Sequence, residues 1–196
     1  MMRIKIGIDL DNTIINYQNS FKKFLKEKNI FQKSLNKDKT KFLANNNSKI
    51  KNWTQAQEEI YGFYLNVAKP FKYFKDFEKF AIKNKIKLYI ISHKTKYSQF
   101  SKKYNLQYES NRWIKNNINK NKYSVFYLST LNKKIKKIEE IKPDYFIDDL
   151  IKILKHKNFP KKVKKIYFSK VKDKKIKTFN DWKKIKHYLA KNEDFK

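Results

Sequence analysis

The segment at residues 4–13, IKIGIDLDNT, constrains this chain most. An apolar run that reads as a buried strand ends in Asp9 and Asp11, two residues apart, with Thr13 two further on. Side chains alternate along a strand with a period of two, so both carboxylates point the same way at its C-terminal tip. Open parallel α/β sheets bind ligands in the crevice beyond such tips, and paired acids there are placed for chemistry rather than for solubility. An acidic strand end followed by Asp-Asn is also ordinary turn chemistry. What separates the two readings is whether further polar residues arrive, in order, at the ends of later strands.

They do arrive. Residues 86–91, IKLYII, read as a second buried strand ending in Ser92, and residues 144–147 as a later one ending in Asp148 and Asp149. Between them, residues 132–141 space Ile135, Ile138 and Ile141 on one helical face, with Lys133 and Lys134 in the first turn. A cation is unfavourable near the positive end of a helix dipole, so a lysine there is tolerated most easily opposite an anion. A serine after a strand is commonly only a turn or cap residue. Two adjacent acids repel one another, however, and a bound cation is a natural reason to hold both.

The D-x-D-x-T pattern of Asp9, Asp11 and Thr13 resembles motif I of the haloacid dehalogenase (HAD) superfamily. Ser92 resembles motif II, Lys133 or Lys134 motif III, and the Asp148-Asp149 pair motif IV. The resemblance implies an aspartyl-phosphate route, with Asp9 as nucleophile and Asp11 as general acid and then base. It implies Mg²⁺ held by Asp9, the main-chain carbonyl of Asp11 and Asp149, with Asp148 a further ligand or one acting through water. Ser92 and the motif III lysine would bind the transferring phosphoryl oxygens. Lys133 is the preferred lysine, although spacing does not separate it from Lys134. An aspartate at the second acidic position is the superfamily's mark of a phosphatase rather than a dehalogenase. Ser92-His93-Lys94-Thr95 and Phe146-Ile147-Asp148-Asp149-Leu150 are also similar to a group of bacterial HAD proteins, some encoded among surface-polysaccharide genes. In that likeness Thr13, His93 and Lys94 would contact substrate phosphate or sugar, or His93 and Lys94 would simply cap the next segment.

With 196 residues the chain holds one α/β core and a modest insertion. The stretch between Asp9 and Ser92 is far longer than one crossover helix needs. It resembles a type 1 cap, giving a division into a Rossmann-like core at 1–15 and 86–196 and a mostly helical cap at 16–85. Residues 53–68 look helical, with Pro70 marking the exit. Trp53, Gln55, Gln57, Tyr61 and Tyr64 could face a substrate, but the aromatics between 61 and 80 read mainly as packing. Downstream, 125–128 should be the third strand, 150–156 a short helix, 165–169 a further strand and 181–190 a closing helix with Asn180 as N-cap. Strands alternating with helices imply a parallel sheet with the first strand central.

A formal net charge of +31 invites a nucleic-acid reading. Yet among 49 basic residues only Arg3 and Arg112 are arginine, the residue that recognition surfaces favour for bidentate contacts. The lysines are spread along the whole chain, as on a solvated surface. Such a field should draw anionic substrates and give non-specific association with nucleic acid at low salt. Cysteine is absent, which excludes disulfides and zinc-thiolate sites, and His93, His156 and His187 are too scattered for a metal triad. No apolar stretch approaches the ~20 residues of a membrane span, and no signal peptide precedes Asp9, so a cytoplasmic location is expected. The expectation is therefore a Mg²⁺-dependent phosphomonoesterase for a small phosphorylated metabolite, plausibly a sugar phosphate. The alternatives are a nucleotidase, a polynucleotide end-phosphatase, or a basic nucleic-acid binder with a vestigial site.

Overall fold

A computed structural model of the chain describes residues 4–30, 45–46 and 49–192. In order, the elements are β1 (Lys5–Ile8), β2 (Ile15–Asn16), α1 (Gln18–Glu27), α2 (Trp53–Tyr61), a 3₁₀ turn (Phe63–Val67), β3 (Lys69–Pro70) and α3 (Phe74–Lys83). There follow β4 (Lys87–His93), α4 (Leu106–Asn117), β5 (Tyr123–Leu128), α5 (Leu131–Ile141), β6 (Tyr145–Asp148), α6 (Ile151–Leu154), β7 (Lys164–Phe168), β8 (Lys177–Phe179) and α7 (Trp182–Ala190).

Six strands form one parallel sheet in the order β5-β4-β1-β6-β7-β8. The chain steps outward from β1 to β4 and β5, then returns to β6 on the other side of β1. In sheets of this kind such a reversal, here at the C-terminal end of β1, is where ligands bind. The apolar runs that read as buried strands are buried on both faces, as parallel strands covered by helices require. Gly7 is needed in β1, because an added Cβ would lie 2.6 Å from the Phe146 ring on neighbouring β6.

Two compact units divide the chain: residues 1–15, 70–93 and 118–196 form the larger, and 16–69 with 94–117 the smaller. In the larger unit, Ile135 and Ile138 of α5 bury their shared face with Ile91, Phe146, Ile153 and Leu154. A second cluster sets Phe74 and Phe77 of α3 against Trp182, with ring centroids 4.8 and 4.6 Å apart. The aromatics between 61 and 80 thus divide, because Tyr61 and Tyr64 are buried in the smaller unit. At α7 the cap is Asp181, whose carboxylate accepts from the Lys184 amide at 2.9 Å, and not Asn180 as the sequence suggested; Asn180 instead accepts from the Lys184 ammonium. Strand β8, three residues at the sheet edge, and α4 carry no clear signal in the sequence.

In the smaller unit, Asn52 caps α2 by accepting from the Gln55 amide at 2.9 Å. The helix stops at Tyr61 rather than continuing to residue 68. At Gly62 a Cβ would meet the Glu58 carbonyl and Tyr104 at 2.7 Å, and the chain tightens there into the 3₁₀ turn. The Trp113 indole of α4 donates to the Ala68 carbonyl at 3.0 Å, and the Ser20 hydroxyl to the Tyr64 carbonyl at 2.7 Å. No helix among the described residues is long and apolar enough to cross a membrane.

Candidate active site

Strand pairing alone brings two of the acids together. Ile8 of β1 stands opposite Ile147 of β6, and the Asp9 amide donates to the Ile147 carbonyl at 2.9 Å. Asp9 and Asp148 therefore emerge side by side at the C-terminal ends of adjacent strands, and Asp149 follows at once. Ligand oxygens of Asp9, Asp148 and Asp149 all lie within 4.8 Å of one another.

Beyond Asp9 the chain folds back sharply. The Ile14 and Ile15 amides both donate to the Leu10 carbonyl at 3.0 Å, and Asn12 takes a left-handed conformation with φ 58°. Asparagine tolerates that region better than most residues. Two contacts pin this turn: the Trp182 indole donates to the Thr13 carbonyl at 2.9 Å, and the Asp149 amide donates to the Thr13 hydroxyl at 3.2 Å. Thr13 is fully buried, so the structure gives it the role of a clamp on Asp149. Asp11 is half-buried at the start of the turn.

The lysine is where structure and sequence reading part. Lys134, fully buried, donates to Asp9 Oδ1 at 2.5 Å and to Asp148 Oδ2 at 2.7 Å. Lys133, the residue preferred from sequence, is exposed and its ammonium reaches the Ser129 hydroxyl at 3.2 Å. The reason is helical phase. Thr130 caps α5 by accepting from the Lys133 amide, which fixes the first turn, and one residue further rotates the side chain by about 100°, from solvent to the sheet. Lys134 lies one residue before Ile135 and four before Ile138, on the side that is buried, and that periodicity was the available signal.

Burial pushes the Asp9 carboxyl up to about 7; Lys134 opposes the shift, while Asp148 and Asp11 add to it. Burial alone would lower the Lys134 ammonium, but Asp148 and Asp9 more than offset it and hold it charged. Asp148 is fully engaged, since its other oxygen accepts from the Leu150 amide at 2.7 Å. One ammonium among three clustered carboxylates leaves an excess of negative charge at a site of hard oxygen donors. That donor set fits a divalent cation of the Mg²⁺ type.

Ser92, the penultimate residue of β4, is buried, and its hydroxyl has no hydrogen-bond partner among the described residues. A buried hydroxyl left unpaired is costly, so Ser92 retains an unused capacity to donate a hydrogen bond. His93 is exposed, and its Nε2 lies 3.3 Å from the Ser129 carbonyl. Lys94 belongs to the smaller unit, buried with its ammonium 5.5 Å from the centre of the Tyr61 ring. The structure thus brings Asp9, Asp148, Asp149, Thr13 and Lys134 into one connected set, and sets Lys133 and His93 together on Ser129.

No protein-family profile and no curated relative matches the chain. Solved structures do. A HAD-superfamily hydrolase from Ehrlichia chaffeensis is similar over 97% of this chain and 98% of its own, with 14% identity and a TM-score of 0.54. The putative HAD-hydrolase YfnB from Bacillus subtilis, bound to magnesium, is similar over 97% of this chain and all of its own, with 10% identity and a TM-score of 0.62. A putative beta-phosphoglucomutase from Thermotoga maritima covers 95% of this chain and 98% of its own, with 10% identity and a TM-score of 0.61. A parallel sheet of six strands with β1 inside it, flanked by helices and shared across nearly the whole length of these structures, gives this chain the α/β Rossmann-like fold of the HAD hydrolases.

Proposed function

We propose that the protein is a Mg²⁺-dependent phosphomonoester hydrolase working through an aspartyl-phosphate on Asp9. The observation that carries this reading is the buried set at the tips of β1 and β6, in which Asp9 contacts Lys134 and shares a 4.8 Å cluster with Asp148 and Asp149. The likeness to HAD hydrolases, one of them bound to magnesium, supports it.

In this reading Mg²⁺ is held by Asp9, the Asp11 carbonyl and Asp149, with Asp148 beside them, and when bound it offsets the charge of the phosphoryl group. A carboxylate oxygen of Asp9 attacks phosphorus as the ester P–O bond breaks. Asp11 gives its proton to the leaving oxygen, then takes one from the water that attacks phosphorus in the second step, releasing phosphate and restoring Asp9. Lys134 keeps Asp9 oriented and lends positive charge to the phosphoryl oxygens. Ser92 donates its unpaired hydroxyl to one of them. Asp148, with both oxygens bonded within the protein, acts mainly by holding Lys134 in place.

The smaller unit, 16–69 with 94–117, is the counterpart of the expected cap and the source of substrate selection, and the substrate is a small phosphorylated metabolite of the sugar-phosphate class. A cytoplasmic location belongs to the same proposal. The test is Mg²⁺-dependent phosphate release from a panel of phosphorylated sugars and nucleotides. Release by wild type and none by Asp9→Asn is expected, while equal release by both proteins would remove Asp9 as nucleophile.

A further inference from the structure

Two side chains next in sequence to residues of the candidate site remain unused by this chemistry. Lys133 directly precedes Lys134, and His93 directly follows Ser92. Both converge on Ser129, the residue after β5, which pairs with β4 in the same sheet. All of these residues belong to the larger unit. The His93 imidazole donates from Nε2 to the Ser129 carbonyl and fixes that residue's backbone. The Lys133 ammonium donates to the Ser129 Oγ at 3.2 Å. Because Oγ accepts this bond, its own hydrogen is left to donate elsewhere, and Lys133 keeps two further N–H groups. Neither side chain has a carboxylate partner among the described residues.

We infer that Lys133 and Ser129, buttressed by His93, form a subsite for a second anionic group on the substrate, separate from the phosphoryl group that Asp9 attacks. The inference rests on the phosphatase reading and narrows it to esters that carry an additional phosphate or carboxylate. Lysine and hydroxyl donors bind such a group by point charge and hydrogen bonds, and their exposure suits a group that enters and leaves with substrate.

Three matched esters test this: phenyl phosphate, 4-carboxyphenyl phosphate and 1,4-phenylene bisphosphate, assayed with Mg²⁺ on wild type, Lys133→Ala, Lys133→Arg and Ser129→Ala. Wild type should prefer one of the doubly charged esters, and which one distinguishes phosphate from carboxylate. In Lys133→Ala the ratio of kcat/KM for that ester to kcat/KM for phenyl phosphate should fall about tenfold, mostly through KM, as loss of a charged hydrogen bond predicts. Lys133→Arg should restore part of the ratio, and Ser129→Ala should lower it by less. An unchanged ratio in Lys133→Ala, or a wild type indifferent to the added charge, overturns the subsite while leaving the phosphatase reading intact. A wild type that hydrolyses none of the three overturns both.

Discussion

Asp9 and Lys134 carry opposite liabilities, and each makes a prediction at the level of the single residue. The Asp9 carboxyl titrates near 7 because it is buried, whereas an unfolded aspartate titrates near 3.8. The metal-free folded protein therefore binds a proton at Asp9 more tightly than the unfolded chain does. The resulting cost is absent below about pH 4, grows as pH rises, and is complete above pH 7. Asp9→Asn removes it, so without metal that variant should be more stable than wild type at pH 8, by on the order of a few kcal/mol, with the gain vanishing toward pH 4. Thermal melts in EDTA across that range check the sign. Lys134→Met does the reverse. It leaves Asp9 and Asp148 buried together without their shared cation, and should cost roughly 3–5 kcal/mol at neutral pH. The same change at Lys133 should leave the melting temperature almost where it was. A Lys133 variant as unstable as the Lys134 one would contradict the placement of the two ammonium groups.

At the level of the element, tightness of pairing between β1 and β6 should be measurable through Gly7. Gly7→Ala sets a methyl against the fully buried Phe146 ring and should destabilise the protein by roughly 1–3 kcal/mol in urea unfolding, with partial rescue by Phe146→Leu. An unperturbed Gly7→Ala would mean that β6 can retreat from β1. Asp181→Ala removes the cap of the helix that carries Trp182 and should cost about 1 kcal/mol. These elements were legible in the sequence to unequal degrees. Strands β1, β4 and β6 show as unbroken apolar runs because both faces are buried, and α5 shows through its isoleucine spacing. Strand β8 is short and lies at the sheet edge, half exposed, so Lys177, Thr178 and Phe179 leave no apolar run to read. Helix α4 hides because its buried positions include a serine beside Trp113 and Ile114. The acids of the site follow from strand register and so could be found in the sequence. Which of two neighbouring lysines reaches them depends on where the helix is capped, and Thr130 sets that phase one step away from the residue first preferred.

For the molecule as a whole, charge is the dominant physical fact. Among the described residues four carboxylates, Asp9, Glu58, Glu78 and Asp148, are buried, as against two ammonium groups, Lys94 and Lys134, so burial does nothing to reduce the basic surface that the formal +31 conveys. Retention on a DNA or heparin matrix should be strong at low salt and collapse steeply as ionic strength rises, because lysine contacts act by releasing counterions. Retention that persisted at high salt would point to a specific nucleic-acid partner and favour the polynucleotide reading of the substrate. Connectivity adds a consequence of another kind. The chain passes between its two units after Ile15, Lys69, His93 and Asn117, so the smaller unit is written in two separate stretches. Recombination that imported residues 16–69 from a relative and left 94–117 behind would part the Ala68 carbonyl from the Trp113 indole that donates to it. The smaller unit is thus more open to change through accumulated point substitutions, or through exchange of both stretches at once, than through the shuffling of a single module.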